Sequence, residues 1–378
     1  MEVLKKFKTP FYIMDVDILR ERINYLKNTL SDKIDLCYAV KANTFIADYA
    51  AREVARLEIC SPGEYEICEK LGISPAKMVI SGVNKEASFI KKLVKKDDRF
   101  IFTIESLEQY KMLKKLAKDK RLQVLIRITS GNQFGVSKCD ALSIIEDNKN
   151  LNILGIEYFS GTQKNSLKKI EREFKFLKEF IESVKEKYHF EIRELEYGTG
   201  FPVSYFEGEE FDEEEYLLGF KELILGYFGD LKLTIEVGRS IAATCGKYYT
   251  KVVDLKTNEV GNFAIVDGGM NHLVYYGAMM GMRVPICEIL PKRSQENAKN
   301  WCICGSLCTI NDIMIKQLPI TNLRIGDVLI FKNTGAYSMT EGISLFLSRE
   351  LPKIIIKEND DYKIVRKNIK TSMLNMPK

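Results

Sequence analysis

Short apolar runs rich in β-branched and aromatic residues recur along the chain, each followed by a lysine- and leucine-rich stretch of helical period. Eight runs predict eight strands: Leu36–Val40, Leu57–Cys60, Met78–Ser81, Phe100–Ile104, Gln123–Ile128, Ile153–Phe159, Glu194–Tyr197 and Leu233–Glu236. Their starts lie roughly 21 to 23 residues apart at first and up to about 40 later, the spacing of successive βα units. We therefore predict an α/β fold, a TIM-like (β/α)8 barrel over residues 18–245.

The pattern changes after about residue 246, where strand-like segments follow one another with few long helical stretches. These segments are Tyr248–Leu255, Phe263–Val266, Trp301–Cys304, Val328–Phe331 and Lys353–Ile356. They predict a mostly β domain over residues 246–378. The opening segment Phe11–Val16 is also strand-like and precedes the first predicted helix, Ile18–Leu30. We expect it to pair with the C-terminal sheet, so that residues 1–17 join the β domain.

Composition and charge narrow the class of protein. Apolar residues make up 46% and charged residues 29% of the chain, which is typical of a soluble globular protein. The net charge of +5 is spread out, and lysines alternate with glutamates over Lys164–Lys187, which indicates a solvated helix face rather than a nucleic-acid site. The N-terminus lacks the apolar core of a secretion signal, and no apolar run approaches membrane-spanning length. We expect a cytoplasmic protein without a membrane or nucleic-acid partner.

Cysteine and histidine usage bears on redox state and metals. The nine cysteines are scattered and odd in number, which favours a reducing compartment. Cys302 and Cys304 have no second pair nearby at zinc spacing, and the only histidines are His189 and His272. We therefore expect no metal site.

Functional residue types crowd the ends of the predicted strands, which is where barrels of this kind carry their reactive groups. They are Lys41, Ser61, Glu64, Gly161–Gln163, Gly198–Pro202 and Glu236–Arg239. A lysine after an apolar strand can be partly desolvated, which favours the neutral, nucleophilic amine. Taken alone, Lys41 is better explained as a lysine at the end of a strand that extends its charge into solvent, and only its companion residues favour a reactive amine.

Two glycine-containing turns follow the last two predicted strands, where barrels commonly bind phosphate. Gly198–Gly200 offers backbone N–H groups, and Gly238 with Arg239 offers a second turn and a cation. Glu236 ends a buried strand and requires a cationic partner. A protonated pyridine nitrogen is one such partner, and Arg127 is the alternative.

The chain resembles the fold-type III pyridoxal-phosphate decarboxylases, the family of diaminopimelate, ornithine and arginine decarboxylases, over nearly its whole length. The motifs that carry the resemblance occur in the family's order: Thr9–Tyr12, Tyr38–Asn43, Glu58 with Ser61 and Glu64, Gly161–Gln163, Gly198–Pro202, Glu236–Arg239, Asp267–Asn271, Gly305–Asp312 and Gly335–Tyr337. The resemblance implies an alanine-racemase-like barrel, a C-terminal β domain and pyridoxal 5'-phosphate as cofactor.

The family's residue roles carry over to matching positions. Lys41 would form the Schiff base with the cofactor, Glu58 would lie beside it, Glu236 would contact the pyridine nitrogen, and Phe159 would stack on the ring. The residues implied around the phosphate are Thr162, Gly198, Thr199, Gly200, Gly238, Arg239 and Tyr337. A plain core aromatic is the alternative for Tyr337.

The resemblance also implies a head-to-tail homodimer with composite active sites. Cys308 would come from the partner subunit and protonate the carbanion left by CO2 loss, with Thr309 and Asp312 near the substrate. A buried structural thiol is the alternative for Cys308.

Three departures from the family pattern concern the substrate. Thr309 stands where diaminopimelate and ornithine decarboxylases carry an acid, the substrate-binding arginine after Met270-Asn271 is missing, and Phe159 replaces a histidine. With these departures, the chain is similar to the decarboxylases of secondary-metabolite gene clusters. One of those enzymes decarboxylates a glutamyl group on an acyl carrier protein. We therefore predict decarboxylation of an amino acid or amino-acyl substrate, possibly tethered to an acyl carrier protein.

Several alternatives stay open. One is a decarboxylase of the diaminopimelate, ornithine or lysine type. A racemase of this fold would carry an arginine at the pyridine nitrogen, where this chain has Glu236. Non-enzymatic barrel proteins that bind the cofactor lack the C-terminal β domain, and a scaffold without cofactor would show no cofactor absorbance.

Overall fold

The computed structural model describes residues 2–293 and 296–377, which form two compact units. The first comprises the described residues up to Leu19, Val203–Phe211 and the described residues from Ala242 onward, and the second comprises Arg20–Pro202 and Asp212–Ile241. The sequence analysis assigned residues 203–211 to the barrel, but this segment belongs to the β-rich unit. The Ile286 N–H donates to the carbonyl of Tyr205 at 2.9 Å. Such long-range contacts, rather than the neighbouring barrel strands in the sequence, determine to which unit residues 203–211 belong.

Eight parallel strands of the second unit close into a barrel. The chain first forms α1 (Glu2–Lys6), β1 (Phe11–Asp15) and α2 (Val16–Leu30). The barrel strands follow in chain order: β2 (Ile34–Ala39), β3 (Arg56–Ile59), β4 (Met78–Ile80), β5 (Ile101–Ile104), β6 (Leu122–Ile128), β7 (Leu151–Phe159), β8 (Glu194–Gly198) and β9 (Lys232–Val237). Pairing of β9 with β2 closes the ring. The predicted (β/α)8 barrel is confirmed.

Helices connect successive barrel strands. They are α3 (Ala47–Glu53), α4 (Pro62–Lys70), α5 (Ala87–Lys96), α6 (Leu107–Ala117), α7 (Lys138–Glu146), α8 (Leu167–Tyr188) and α9 (Glu213–Phe228), and α10 (Arg239–Ala242) follows β9. Side-chain caps start several of them; the hydroxyl of Ser61, for example, accepts a hydrogen bond from the Glu64 N–H. Within residues 2–293 and 296–377, no helix is long and apolar enough to cross a membrane.

The first unit is built on one sheet that β1 joins. Its other strands are β10 (Gly246–Thr257), β11 (Asn262–Val266), β12 (Cys287–Leu290), β13 (Lys299–Cys304), β14 (Ile313–Ile320), β15 (Val328–Phe331), β16 (Lys353–Glu358) and β17 (Asp361–Arg366), and a short helix, α11 (Ser372–Asn375), follows. In β1, Phe11 lies opposite Tyr249 of β10 and beside Lys353 of β16. The prediction that the opening strand pairs with the C-terminal sheet is confirmed.

The sequence analysis missed three strands of this sheet, β12, β14 and β17. Each lies at the periphery of the sheet and is only partly buried, so it lacks the apolar run by which the others were found. β14 also contains Pro319, and β17 alternates charged with apolar residues. Hydrogen bonding to neighbouring strands, rather than local propensity, gives these segments their structure.

Candidate active site

Lys41 lies in the short 3-10 turn Val40–Ala42 that directly follows β2. The parallel register sets Ala39 beside Glu58 of β3 and Cys37 beside Glu236 of β9. As a result, the Lys41 Nζ lies 2.5 Å from Glu58 Oε2 and 3.3 Å from Glu236 Oε1. The carboxyl ends of three adjacent strands thus bring one amine and two carboxyl groups together.

The two carboxyl groups have opposite electrostatic character. Burial alone would raise the pKa of Glu58, but the charge of Lys41 and hydrogen bonds from Glu236 and Lys41 lower it to about 2. Burial raises the pKa of Glu236 to about 8, and the neighbouring charge of Glu58 adds to the rise. At neutral pH the Glu58 carboxylate therefore pairs with Lys41, while Glu236 is a buried acid that lacks full compensation by a cation.

Glu157 of β7 brings a third carboxyl group to this part of the barrel. Oxygen atoms of Glu58, Glu157 and Glu236 all lie within 4.8 Å of one another. Arg127 Nη1 lies 3.2 Å from Glu105 and 3.4 Å from Glu157, so its ion pairs are with these residues and not with Glu236. Burial raises the pKa of Glu157 to about 8. Three such oxygens could hold a cation, and the expected absence of a metal stays a prediction.

Two loops lie against each other at the ends of β7 and β8. Gly200 has a φ of +56°, and a Cβ at this position would lie 2.1 Å from the carbonyl oxygen of Gly161. Only glycine permits this approach. The Arg239 Nε donates to the Thr162 hydroxyl at 3.3 Å, and the Thr199 hydroxyl donates to the Glu236 carbonyl at 3.3 Å. Among the residues predicted around a phosphate, Thr162 is thus joined to Arg239, and Thr199 is tied to the end of β9.

The Phe159 ring lies beside the start of the second loop. A Cβ on Gly198 would meet the Phe159 Cδ2 at 2.4 Å, so the missing side chain makes room for the ring. The aromatic face can still stack on a planar ligand, although it cannot donate a hydrogen bond as a histidine would.

The predicted residues of the β-rich unit lie on two loops, one with Cys308, Thr309 and Asp312 and one with Tyr337. Cys308 is exposed and Thr309 is half-buried on the loop between β13 and β14. Asp312 is buried, and its carboxylate accepts hydrogen bonds from the N–H groups of Met270 and Leu307, each at 2.8 Å. These bonds brace the loop that carries Cys308, whereas the predicted contact of Asp312 with substrate stays a prediction. Tyr337 is half-buried and has a φ of +63°.

The sequence analysis missed two features of the barrel. It did not single out Glu157, although a charged residue inside an apolar strand is a usable signal. It also treated Lys164–Lys187 as a solvated face, but Lys164 and Glu173 are buried. The prediction of a solvated face holds for most of the charged residues of α8. It is wrong for Lys164 and Glu173, because their burial depends on neighbouring strands.

The closed barrel, the amine flanked by two carboxyl groups and the accompanying β-rich unit define the class of barrel enzymes that use pyridoxal phosphate. The family model described as "Pyridoxal-dependent decarboxylase, pyridoxal binding domain" matches residues 16–243, more than half of the chain. The protein belongs to this family.

Individual relatives resemble the chain over nearly their full length. The chain is 26% identical to L-glutamyl-[BtrI acyl-carrier protein] decarboxylase of Niallia circulans, covering 96% of this chain and 92% of the relative. It is 28% identical to a diaminopimelate decarboxylase of Helicobacter pylori, covering 96% and 93%. The crystal structure of diaminopimelate decarboxylase from Helicobacter pylori complexed with L-lysine superposes with a TM-score of 0.86 at 25% identity, covering 99% and 97%.

The protein is therefore a pyridoxal-phosphate-dependent decarboxylase that acts on an amino acid or amino-acyl group, and the corresponding predictions are confirmed. The described residues fit this cofactor. Lys41 offers an amine for its aldehyde carbon, and Glu236, which Lys41 compensates only in part, suits a cationic ring nitrogen. The joined loops around Gly161 and Gly200 suit its phosphate.

The buried acids of the barrel predict a specific pH dependence of stability. Glu196 lies 3.2 Å from Arg56, and burial raises its pKa from 4.5 to about 8. The folded protein therefore binds this proton more tightly than the unfolded chain does. The stabilisation is fully present below pH 4.5 and is lost as the pH rises from 4.5 through about 8. We expect the Tm of the cofactor-free protein to fall over this range and Glu196→Gln to flatten the profile.

Calorimetry between pH 5 and 8 checks this expectation, with the exposed Glu222→Gln on α9 as control. Glutamine mimics the protonated acid, so Glu196→Gln is expected to fold. Identical profiles for wild type and Glu196→Gln would contradict the assignment.

Proposed function

We propose that the protein removes the α-carboxylate from an amino-acyl substrate whose far end carries no charge, and that Lys41 and Glu236 hold the cofactor. The observation that carries this proposal is the position of Lys41 Nζ between Glu58 Oε2 and Glu236 Oε1, at 2.5 and 3.3 Å. When bound, the cofactor supplies a sink for the electron pair left by the departing carboxylate. The residues of the chain supply attachment, orientation and proton control.

Lys41 and its two neighbours act on the reactive part of the cofactor. Lys41 would hold the cofactor through its aldehyde carbon, and the ionised Glu58 would orient the lysine amine. Glu236 would pair with the ring nitrogen and keep it protonated. A cation beside Glu236 would lower the pKa of this carboxyl, which burial raises to about 8 in the cofactor-free protein.

The phosphate and the ring face are held by the remaining predicted residues. The Phe159 ring would stack on one face of the cofactor. The phosphate contacts are Thr162, Gly198, Thr199, Gly200, Gly238, Arg239 and Tyr337. Arg239 adds a positive charge where its Nε already contacts Thr162, which favours a dianion at this position.

Cys308 acts in a homodimer as the acid that returns a proton to the substrate carbon. Its exposure on a braced loop supports a role toward a partner subunit rather than a structural role in its own protomer. Each active site is then composite, with Lys41 from one subunit and Cys308 from the other. All nine cysteines are free, which supports a cytoplasmic location.

The variant Cys308→Ala is expected to keep the cofactor absorbance of the wild type and to form product about a hundredfold more slowly, with some transamination. This loss of rate is small for the removal of a general acid, because water can reach the exposed position and donate the proton instead. Absorbance and product analysis check this. An unchanged rate and product would remove the acid role.

Mixing experiments test the composite site separately. Lys41→Ala and Cys308→Ala subunits, each impaired alone, should regain activity when mixed under conditions of subunit exchange, because one site of the mixed dimer is intact. No regain of activity in a proven mixed dimer would contradict the shared site.

The neutral substrate end is supported by two features of the β-rich unit. Thr309 offers no charge for a distal ammonium or carboxylate. A cavity of about 500 Å³ lies beside the loop of Thr309, and Asn311, Met279 and Met280 are among the residues that line it. None of its described lining residues has a charged side chain. A flexible, methionine-rich wall suits an uncharged arm. An acyl carrier protein is the proposed bearer of that arm, because one relative is named for such a substrate.

A substrate comparison tests this proposal. We expect kcat/KM for a glutamyl thioester on an acyl carrier protein to exceed that for free diaminopimelate or ornithine by about a hundredfold or more, because a charged end would be buried without a partner. Thr309→Glu should shift the preference toward diaminopimelate or ornithine. Rapid turnover of either free amino acid by the wild type would overturn the proposal for a neutral end.

A further inference from the structure

The ammonium group of Lys164 is buried behind the loop that connects β7 to α8. The residue is 4% exposed, and its Nζ lies 2.8 Å from the Tyr197 hydroxyl and 3.1 Å from Glu173 Oε2. The Tyr197 hydroxyl donates to the same Glu173 oxygen at 2.5 Å. A buried ammonium is costly without such partners, so the group of three holds the Lys164 side chain in one place.

From this position Lys164 contacts both ends of the turn Gly198–Gly200. Its Nζ donates to the carbonyl of Gly198 at 3.2 Å, and its backbone N–H donates to the carbonyl of Gly200 at 2.8 Å. The same Nζ lies 3.2 Å from the Ser160 hydroxyl at the start of the other loop. One residue therefore joins the two loops that are proposed to surround the phosphate.

The two loops have little freedom to adjust around this residue. A Cβ on Gly200 would lie 2.1 Å from the Gly161 carbonyl and 3.1 Å from the Lys164 Cε. The loops are already in contact on one side, and Lys164 fills the space on the other. Loss of its hydrogen bonds would let the turn move relative to Gly161.

We propose that Lys164 is a positioning residue for the cofactor's phosphate: its ammonium group, held by Glu173 and Tyr197, clamps the turn Gly198–Gly200 against the loop Ser160–Gln163. This inference rests on the proposed assignment of the phosphate to these loops. Lys164 itself does not contact the reacting atoms. The alternative is an ion pair that only stabilises the packing of α8 on the barrel.

The comparison of pyridoxal phosphate with pyridoxal separates these roles, because the two ligands differ only in the phosphate. Equilibrium titration of cofactor-free protein gives the ratio of their two Kd values. In Lys164→Met the preference for pyridoxal phosphate should fall about tenfold, while the affinity for pyridoxal changes little. A role in stability alone would lower both affinities together or neither.

Two further variants keep the test decisive. Lys164→Met leaves the buried charge of Glu173 without a cation. The double variant Lys164→Met with Glu173→Gln removes both charges and is therefore expected to fold. It should show the same loss of preference. Lys85→Met is the matched control, since Lys85 is also buried and lies 3.3 Å from Glu105 on a different loop of the barrel. Its preference should equal that of the wild type.

The outcomes are distinct. A folded double variant with the wild-type preference overturns the role of Lys164. An equal loss in Lys85→Met also overturns it, because the effect would then follow from losing any buried lysine. A wild type that binds both ligands equally well overturns the phosphate site itself, and with it this inference.

Discussion

Lys41→Ala is expected to lower the rate of decarboxylation by at least about 10³-fold and to abolish the absorbance of the lysine-bound cofactor. The reason is that the Lys41 Nζ is the amine set between Glu58 and Glu236 at the end of β2. The methyl side chain of alanine cannot replace the lysine amine in attaching the aldehyde carbon of the cofactor. Absorbance spectra of the purified variant and measurements of CO2 release check the two effects independently.

The control for this variant is a lysine just before the same strand. Lys33 is exposed and directly precedes β2 at its opposite end, so Lys33→Ala changes the charge of the chain equally without touching the site. It should match the wild type in both measurements. Substantial activity in a colourless Lys41→Ala protein would overturn the whole mechanism.

Glu236→Gln is expected to lower kcat by about 10³-fold while leaving the cofactor attached, because the amide cannot keep the ring nitrogen protonated. In the cofactor-free protein the substitution should be mild, since burial raises the pKa of this carboxyl to about 8 and the amide resembles the protonated acid. Single-turnover kinetics and calorimetry of the cofactor-free form separate the catalytic effect from the effect on stability.

A second buried acid provides the matched control. Glu196 lies in the same barrel, and burial raises its pKa to about 8 as well, but it pairs with Arg56 rather than with Lys41. Glu196→Gln should therefore retain most of the activity. If both variants lose activity equally, the loss reflects a change in the barrel interior, and the special role of Glu236 is wrong.

The central residues of the site could be predicted because a general rule connects them to the fold. Lys41 and Glu236 both end predicted strands, and the carboxyl ends of all barrel strands meet at one rim. Glycine turns after the last two strands pointed in the same way to the two loops that we propose hold the phosphate. The roles of Cys308, Thr309 and Tyr337 came instead from the resemblance to a family and stay predictions.

Other features could not be predicted because they depend on contacts between distant segments. Lys164 looks like an ordinary charged residue until neighbouring segments bury it. Strands β12, β14 and β17 exist mainly through pairing with longer neighbours, and residues 203–211 leave the barrel unit because of contacts beyond residue 270.

The sequence by itself determined the eight βα units, the β-rich C-terminal part and the residue types at the strand ends, because periodicity and turn chemistry are local properties of the chain. Only the tertiary structure decided that Lys41 and Glu236, 195 residues apart, lie 3.3 Å from each other, since pairing of β9 with β2 closes the barrel. The tertiary structure also separated the pKa values of the two buried carboxyls beside Lys41: the Lys41 charge and hydrogen bonds lower the pKa of Glu58, whereas burial and the neighbouring Glu58 charge raise that of Glu236.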